Sequence, residues 1–267
     1  MTDFNAQSGE VSIAGTDAGE GSPVLLLHGL TATRRYVVMG SKFLERNGYR
    51  AVAYDARGHG ESSPGPSYDY SELAGDLGAV MDELQIEQAV VAGASMGAHT
   101  GVRFALEHPA RVAALVLITP AFDGSVNAED ENWDDLADGL ERDGIDGFIA
   151  AMKPPSDPRW HDTAITVARQ RLERHRHLDA VAEALRQVPR SRPFEGLHAL
   201  EEVDAPTLIV ASRDESDPGH PLRVAEAYHS RLRRSELMVE EPGKSPIAWQ
   251  GAQLSRAIAE FAERAAA

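Results

Sequence analysis

A serine lies at the centre of the five-residue stretch Gly93-Ala94-Ser95-Met96-Gly97. The apolar run 89–92 precedes this stretch and a helical pattern follows it, which predicts a sharp turn from a strand into a helix. Such a turn projects the serine hydroxyl above the sheet, and the helix N-terminus directs backbone N–H groups at developing negative charge. We therefore interpret Ser95 as a nucleophile. The alternative is a structural serine in a turn of small residues.

Short apolar runs that alternate with helical patterns must position this serine. The runs cover residues 23–27, 51–54, 89–92, 112–118, 207–210 and 237–239. Continuous apolar runs are typical of strands buried on both faces, as in a parallel sheet. Residues 73–84 place apolar side chains at helical spacing, with Ser71 as the predicted N-cap. This alternation predicts an α/β fold with a mostly parallel sheet flanked by helices.

The alternation stops at residues 122–202, where apolar side chains follow helical rhythms only. We interpret this segment as a helical cap inserted into a core formed by residues 1–121 and 203–267; the alternative is a set of ordinary peripheral helices. A cap would roof the serine with apolar side chains and form a largely apolar pocket. The candidates for its lining are Phe122, Trp133, Phe148, Met152 and Trp160 from the segment, with Leu30 and Trp249 from the core.

Three stretches of the chain carry a family resemblance: His28-Gly29, the octapeptide 55–62 (DARGHGES) and the turn at Ser95. Together they resemble the α/β-hydrolase family, in its branch of capped esterases, lactonases, cofactor-free haloperoxidases and carbon–carbon bond hydrolases. The resemblance covers residues 10–121 and 203–262 and implies a sheet of the eight-stranded type. It also implies a triad in the chain order serine, acid, histidine, with no metal and no organic cofactor.

Two backbone N–H groups are the candidates for an oxyanion hole. In this fold one donor comes from the loop after the first long apolar run and the other from the residue after the nucleophile. These are the N–H groups of Leu30 and Met96. Each such donor typically stabilises a transition state by about 3 kcal/mol. His28 is interpreted as a brace of its loop rather than as a catalytic residue.

The family places its acid in the loop after the seventh strand, four residues before a proline. Asp214, followed by Pro218, fits that place. Asp217 in the same loop is a rival. Asp123, after the preceding strand, is a second rival that some relatives use. A solvated loop carboxylate with no catalytic role is the remaining alternative for Asp214.

The histidine expected as the last member of the triad is absent from its usual place in the chain. Where the family has histidine after the final strand, this chain has Lys244, and no histidine follows His229. A lysine side chain in water has a pKa of about 10.4, so it is protonated at pH 7, whereas histidine, with a pKa of about 6.5, has a neutral form that accepts a proton. An adjacent aspartate would favour the ammonium further. Lys244 is thus either a replacement that impairs catalysis or a working base with a different partner.

A third interpretation gives the role of the base to another histidine. His220 is the nearest in sequence to Asp214, and His99 lies on the helix that follows Ser95. The structural alternatives are helix packing for His99 and a loop or helix-start position for His220. The three interpretations predict different effects of Lys244→His on ester hydrolysis.

The composition of the chain disfavours several classes of binding partner and functional site. The net charge of −16 disfavours nucleic acid and anionic membranes, because a polyanion would repel the chain. Without cysteine, disulfides, thiolate metal sites and a cysteine nucleophile are excluded. No signal peptide pattern or apolar run of about 20 residues is evident, so the expected location is the cytoplasm. Oligomeric state is left open.

The combined motifs predict a serine hydrolase that acts on a small-molecule carboxylic ester or lactone through an acyl-Ser95 intermediate. Two other classes remain open at this stage. The chain could be a non-catalytic ligand binder, since fold does not fix function. Alternatively, Lys244 could support a Ser-Lys or Schiff-base activity.

Overall fold

An eight-stranded sheet forms the centre of the protein. The structure is a computed structural model, and it describes residues 1–126, 132–153, 155 and 157–266. The strand order is β1-β2-β4-β3-β5-β6-β7-β8. β1 and β2 pair antiparallel, β2 pairs antiparallel with β4, and every later pairing is parallel. The expected mostly parallel sheet is confirmed. Its strands are β1 Thr2–Ser8, β2 Val11–Ala18, β3 Ser22–Leu27, β4 Tyr49–Tyr54, β5 Ala89–Ala94, β6 Val112–Ile118, β7 Thr207–Ala211 and β8 Ser235–Val239.

The apolar runs account for β3 to β8 but not for β1 and β2. These two strands form the antiparallel edge of the sheet, and β1 is mostly exposed. Polar residues interrupt both sequences, so neither shows the continuous apolar run of a strand buried on both faces. The sheet edge is therefore the part of the fold that the sequence pattern missed.

Helices cover both faces of the sheet. The helix predicted at residues 73–84 is α2, but its N-cap is Asp69, whose side chain accepts the Glu72 N–H, while Ser71 lies inside the first turn. An aspartate at the N-cap satisfies a backbone donor that the helix leaves unpaired. The helices are α1 Phe43–Arg46, α2 Tyr70–Glu83, α3 Met96–Glu107, α4 Trp133–Ala151, α5 His161–Leu172, α6 Leu178–Gln187, α7 Leu222–Arg231 and α8 Gly251–Ala266.

Three helices, α4 to α6, lie between β6 and β7, in the segment predicted as a cap. They share a buried apolar cluster that includes Leu140, Phe148, Leu172 and Leu185. Within α4 the helix breaks at Gly144, whose φ of 64° is in the left-handed region that favours glycine. Residues 127–131, 154 and 156 of the segment, and residue 267 of the predicted core, fall outside the described part of the chain.

Candidate active site

Ser95 occupies the turn between β5 and α3, with φ 49° and ψ −111°. This conformation is costly for a residue with a side chain and persists only where the surroundings impose it. Two glycines make the turn possible: a Cβ on Gly93 would lie 2.1 Å from the Gly97 oxygen, and a Cβ on Gly97 would lie 2.4 Å from the Leu27 oxygen. The side chain of Ser95 therefore stands at the carboxyl edge of the sheet on a turn with no room for larger neighbours.

His220 is the hydrogen-bond partner of the Ser95 hydroxyl. Its Nε2 lies 2.9 Å from Ser95 Oγ, and its Nδ1 lies 2.8 Å from Asp217 Oδ1. With the proton on Nδ1, the ring donates to the carboxylate and accepts the serine proton at Nε2. The three side chains thus form a continuous serine–imidazole–carboxylate relay in the chain order serine, acid, histidine.

Asp217 and His220 belong to a single turn in the loop 212–221 that follows β7, hereafter the dyad loop. The backbone N–H of His220 donates to the Asp217 carbonyl at 3.1 Å, which folds Pro218 and Gly219 into a tight turn. This turn brings the imidazole and the carboxylate to the same side. The signal for this pair in the sequence is an aspartate and a histidine three residues apart around Pro-Gly. From the sequence alone, Asp217 was only an alternative to Asp214, and His220 only an alternative to Lys244.

The predicted acid, Asp214, lies in the same loop but away from the imidazole. It is exposed, and its Oδ1 accepts the N–H of Leu222 at 2.7 Å, at the start of α7. The other rival, Asp123, accepts from Ser125 and lies 3.5 Å from Arg223. Asp217, rather than Asp214 or Asp123, is therefore the carboxylate that the fold brings to a histidine in hydrogen-bond contact with Ser95.

Lys244 lies in an exposed turn after β8, where its backbone N–H donates to the Glu241 carbonyl at 3.0 Å. Its side chain is exposed to solvent. Lys244 was predicted as a catalytic residue in the place of the family histidine, but among the described residues the Ser95 hydroxyl bonds His220 and not Lys244. An exposed ammonium retains its hydration in such a turn.

The loop after β3 adjoins the nucleophile on its other side. A Cβ on Gly29 would lie 3.3 Å from both Ser95 Cβ and the Ala94 oxygen. The N–H groups of Leu30 and Met96, the predicted oxyanion donors, have no hydrogen-bond acceptor within the described chain. Two unpaired donors beside a nucleophile are what an oxyanion hole requires.

His28 holds that loop in place. Its Nε2 accepts the Ala56 N–H at 2.8 Å, so its Nδ1 carries the proton and donates to the Gly29 carbonyl at 2.8 Å. Burial lowers the pKa of His28 to about 4. The ring is therefore neutral near pH 7 and braces the backbone, as its interpretation as a structural residue requires.

His99 also has a bracing role. Its Nε2 accepts the N–H groups of Ala121 and Phe122 at 3.0 and 3.1 Å, and its Nδ1 lies 3.0 Å from the Tyr70 hydroxyl. Burial, with a smaller effect of the His220 charge, lowers the pKa of His99 to about 3. The ring secures the segment after β6, and its nitrogens bond groups other than the Ser95 hydroxyl.

The predicted pocket residues divide into three groups. Phe122 is buried against the rings of His99 and Phe194. Trp160, from the α4–α6 segment, meets Trp249, from the loop before α8, edge to face with ring centres 5.6 Å apart. The remaining predictions belong to the apolar cluster of α4 to α6: Phe148 is buried within it, and Leu30, Trp133 and Met152 pack partly buried against it.

The α4–α6 segment touches the core on both sides of the nucleophile. On one side, the Asp157 N–H donates to the Glu215 carbonyl of the dyad loop at 3.2 Å. On the other, His175 accepts the Gly60 N–H at 2.8 Å, and its second nitrogen lies 3.0 Å from the Thr31 carbonyl. The segment is therefore bonded both to the dyad loop and to the loop that carries the predicted oxyanion donor.

The described residues offer neither a cluster of metal ligands nor a membrane-spanning helix. They contain no group of three or more histidine, cysteine, aspartate or glutamate side chains placed to hold a metal ion. Among the described helices, none has the length and apolar character needed to cross a bilayer.

Comparisons with known proteins agree with this architecture. Residues 22–252 match a family described by its alpha/beta hydrolase fold. The chain is 33% identical over 214 residues to 2-hydroxy-6-oxononadienedioate/2-hydroxy-6-oxononatrienedioate hydrolase 2 of Pseudomonas putida, which covers 74% of this chain and 73% of that protein. A thermophilic esterase from Thermogutta terrifontis superposes with a TM-score of 0.80 at 25% identity, over 99% of each chain.

One further relative matches over a shorter region. The chain is 36% identical over 107 residues to the AB hydrolase superfamily protein YisY of Bacillus subtilis (strain 168). That match covers 39% of this chain and 40% of the relative, so it spans less than half of the length of YisY.

Proposed function

We propose that this chain, which belongs to the α/β-hydrolase fold family, is a serine hydrolase that cleaves carboxylic esters or lactones through an acyl-Ser95 intermediate. The observation that carries the proposal is the relay from Ser95 Oγ to His220 Nε2 and from His220 Nδ1 to Asp217 Oδ1, at 2.9 and 2.8 Å. Both distances are those of hydrogen bonds, so the proton of the serine has an acceptor in place.

In the first half of the reaction, His220 takes the Ser95 proton while Oγ attacks the ester carbonyl carbon. The carbonyl oxygen becomes an oxyanion, which the N–H groups of Leu30 and Met96 stabilise. Asp217 keeps the imidazole in the required tautomer and stabilises the imidazolium. Collapse of the tetrahedral intermediate breaks the bond to the leaving oxygen, which receives the proton from His220, and the acyl group remains on Ser95.

In the second half, water attacks the acyl carbon and gives a proton to His220. The second tetrahedral intermediate expels Ser95 Oγ, which regains that proton, and the carboxylic acid leaves. A lactone follows the same steps, with its alcohol remaining attached to the acyl chain as a hydroxyacid. The proposed steps balance without a metal or an organic cofactor.

A base on the dyad loop removes the need for Lys244. Histidine has an ordinary pKa of about 6.5, so its neutral form is abundant at pH 7. Lys244 is exposed and forms no side-chain contact with the relay among the described residues. We therefore propose that the missing histidine after β8 has been replaced in function by His220.

We further propose that residues 122–202 act as a cap over Ser95. This proposal rests on the two bonded contacts of the segment with the core, one at Glu215 in the dyad loop and one at Thr31 beside the oxyanion loop. The apolar side chains Leu30, Trp160 and Trp249 lie at this boundary and are only partly buried. They suit a small or medium acyl group.

Hydrolysis of p-nitrophenyl esters by the purified chain tests the proposal. The wild-type protein is expected to release p-nitrophenol, and Ser95→Ala and His220→Gln are expected to lower kcat by about 10³-fold or more. Lys244→His and Lys244→Gln, as matched variants of the exposed turn, are expected to leave kcat unchanged. A large rise in activity with Lys244→His would show that His220 does not serve as the base.

A serine-directed phosphonate probe separates covalent catalysis from mere ligand binding. It is expected to label Ser95 in the wild-type protein, as seen by mass spectrometry of the labelled peptide, and to label His220→Gln far more slowly. A protein that binds esters without hydrolysing them and without labelling would be a non-catalytic binder.

A further inference from the structure

The predicted oxyanion donor of the loop after β3 lies in a strained four-residue turn. Residues 29–32 form a β-turn, in which the Ala32 N–H donates to the Gly29 carbonyl at 3.0 Å. The third residue of the turn, Thr31, has a φ of 65°. That conformation is typical of glycine, is costly for a β-branched side chain and persists only where the surroundings impose it. The contacts of Thr31 therefore help to decide the direction of the Leu30 N–H.

His175, which follows α5, supplies such a contact from outside the turn. The Gly60 N–H lies 2.8 Å from its Nδ1. A backbone N–H can only donate, so Nδ1 is the acceptor and Nε2 carries the ring proton. Nε2 therefore donates to the Thr31 carbonyl, 3.0 Å away. Burial lowers the pKa of His175, which favours this neutral ring at pH 7.

Contacts with the loop after β4 fix the position of the His175 ring. The Gly60 N–H donates to the ring, and the Gly60 carbonyl accepts the Arg176 N–H at 3.0 Å. The Arg176 guanidinium pairs with Glu61 at 2.9 Å. The ring of His59 meets that of His175 edge to face, with centres 5.4 Å apart. The ring is thus held independently of the turn that it contacts.

Two peptide groups connect His175 to the predicted oxyanion donor. The Thr31 carbonyl, which accepts from His175, shares a peptide group with the Ala32 N–H. That N–H donates to the Gly29 carbonyl, which shares a peptide group with the Leu30 N–H. In a trans peptide the carbonyl and the N–H point in opposite directions, so a fixed carbonyl also fixes its N–H. Hydrogen bonds in such a chain polarise one another, which strengthens the last donor.

We propose that His175 is a positioning residue for the oxyanion hole, and that its bond to the Thr31 carbonyl directs the Leu30 N–H at the developing oxyanion. The proposal rests on the proposed ester chemistry and adds a residue that acts in its transition state. His28 holds the Gly29 carbonyl from within the core, whereas His175 holds the turn from the α4–α6 segment. The seating of that segment therefore affects the rate of the chemical step, and not only the shape of the pocket.

Two substitutions separate the contacts of His175. The side-chain oxygen of His175→Asn can take the place of Nδ1 and accept the Gly60 N–H, but no donor reaches Thr31. The amide nitrogen of His175→Gln can take the place of Nε2 and donate to Thr31, but the Gly60 N–H loses its acceptor. The first variant tests the bond to the oxyanion turn, and the second tests the attachment of the segment to the core.

The two variants are expected to differ in opposite directions. His175→Asn is expected to lower kcat on p-nitrophenyl butyrate by about tenfold at nearly unchanged KM, because the donor acts mainly in the transition state. The loss stays below the roughly 10²-fold of a removed donor, since the Leu30 N–H is misdirected rather than absent. His175→Gln is expected to keep most of kcat but to unfold at a lower urea concentration, because a buried N–H is left without its acceptor.

A purely structural role gives the opposite order. If His175 only attached the segment to the core, kcat would follow stability, and His175→Gln would be the slower enzyme; that order would overturn the positioning role. His177→Asn, at the N-cap of α6 and partly buried like His175, is the matched control. It is expected to keep kcat and KM, because asparagine is a favourable N-cap. An equal loss of kcat in this control would also count against the positioning role.

A reversible inhibitor measures the oxyanion hole directly. Ser95 Oγ adds to the carbonyl carbon of 1,1,1-trifluorooctan-2-one as His220 takes the hydroxyl proton, and the ketone oxygen becomes an oxyanion in the hole. The alcohol 1,1,1-trifluorooctan-2-ol has the same skeleton and cannot form this adduct. His175→Asn is expected to raise the inhibition constant of the ketone about tenfold, to leave that of the alcohol unchanged, and to differ in this from His175→Gln.

The inhibitor pair also separates the positioning role from the proposed function. Equal inhibition by the ketone in the wild-type protein and in His175→Asn would overturn the positioning role alone, provided that the wild-type protein hydrolyses the ester. A wild-type protein that neither hydrolyses the ester nor binds the ketone more tightly than the alcohol would overturn the ester chemistry, and the positioning role with it.

Discussion

Asp217 and His220 lie three residues apart in one turn, with their carboxylate oxygen and ring nitrogen 2.8 Å apart. The proposed acid and base therefore belong to one short loop after β7. The position of the imidazole against Ser95 depends on how this loop is held, and no part of that geometry requires the turn at Lys244. Residues that fix the dyad loop are expected to affect catalysis without touching the substrate.

The first prediction separates the two aspartates of the dyad loop. Asp217→Asn removes the acceptor charge from His220 and is expected to lower kcat by about 10³–10⁴-fold, because the imidazole loses its required tautomer. Asp214→Asn changes an exposed carboxylate that only accepts the Leu222 N–H, so kcat is expected to stay near the wild-type value. Steady-state hydrolysis of one neutral p-nitrophenyl ester measures both. A larger loss with Asp214→Asn would return the role of the acid to Asp214.

The second prediction concerns Glu240, a buried carboxylate at the end of β8 that is 4% exposed. Its Oε1 accepts the Arg213 N–H at 2.7 Å, and the Arg213 carbonyl accepts the N–H groups of Ser216 and Asp217. Glu240→Ala leaves the Arg213 N–H without its acceptor, at a cost of about 1–3 kcal/mol in the free energy of unfolding. We expect kcat to fall as well, because the backbone of Arg213 would no longer hold Asp217 in place beside His220.

Glu240→Gln is the matched variant, since its amide oxygen can still accept the Arg213 N–H. It is expected to restore most of kcat. The pH profile of kcat adds a readout that a general loss of stability would not give, because a displaced Asp217 changes the titration of His220. Unchanged kcat and pH profile in folded Glu240→Ala would contradict a positioning role for Glu240.

The sequence pattern is sufficient to predict most strands of the sheet and the turn at Ser95. The alternation of apolar runs predicts β3 to β8, since strands buried on both faces need continuous apolar side chains. The pattern around Ser95 predicts its turn because two glycines are sterically required there. Both rules depend on residues that are close together in the sequence, so they can be applied without knowledge of the tertiary structure.

The partner of Ser95 is set by long-range contacts. Asp214 and Asp217 have the same side chain and lie in the same loop, and only the tertiary structure determines which one faces His220. The contact between His220 and Ser95 spans 125 residues of sequence. Spacing alone could include His220 among the alternatives but could not choose it over Lys244.

The third prediction concerns stability in weak acid. Burial holds the pKa of His28 at about 4 and that of His99 at about 3, both below the ordinary histidine value of about 6.5. The unfolded chain therefore binds protons below pH 6.5 that the folded chain does not. The free energy of unfolding is expected to be constant above this value and to fall as pH drops from 6.5 towards 4, by up to about 1.4 kcal/mol per pH unit for each histidine.

Urea unfolding at pH 7.5, 6.5, 6.0 and 5.5 measures this slope in a range where few carboxylates titrate. His99→Gln is the informative variant, since its amide oxygen can accept from Ala121 and Phe122 while its side chain does not titrate. It is expected to be less stable at pH 7.5 but to show a shallower pH dependence. A slope equal to that of the wild-type protein would exclude His99 as a source of the acid sensitivity.

The last prediction uses two glycines with opposite surroundings. A Cβ on Gly29 would lie 3.3 Å from Ser95 Cβ and from the Ala94 oxygen, which is tighter than ordinary contact. Gly29→Ala is therefore expected to displace the loop that carries the Leu30 N–H and to lower kcat by about 10²-fold, the scale of one lost oxyanion donor. The change in KM should be small, because the donor acts mainly in the transition state.

Gly75→Ala is the control, since a Cβ there meets nothing within 4 Å on an exposed position of α2. It is expected to leave kcat unchanged and to raise the free energy of unfolding by about 0.5–1 kcal/mol, the ordinary gain of alanine over glycine inside a helix. Esterase kinetics and urea unfolding of both variants give the comparison. If Gly29→Ala changed only stability and left kcat intact, the Leu30 N–H would have no part in the oxyanion hole, and the second donor beside Met96 would have to come from elsewhere.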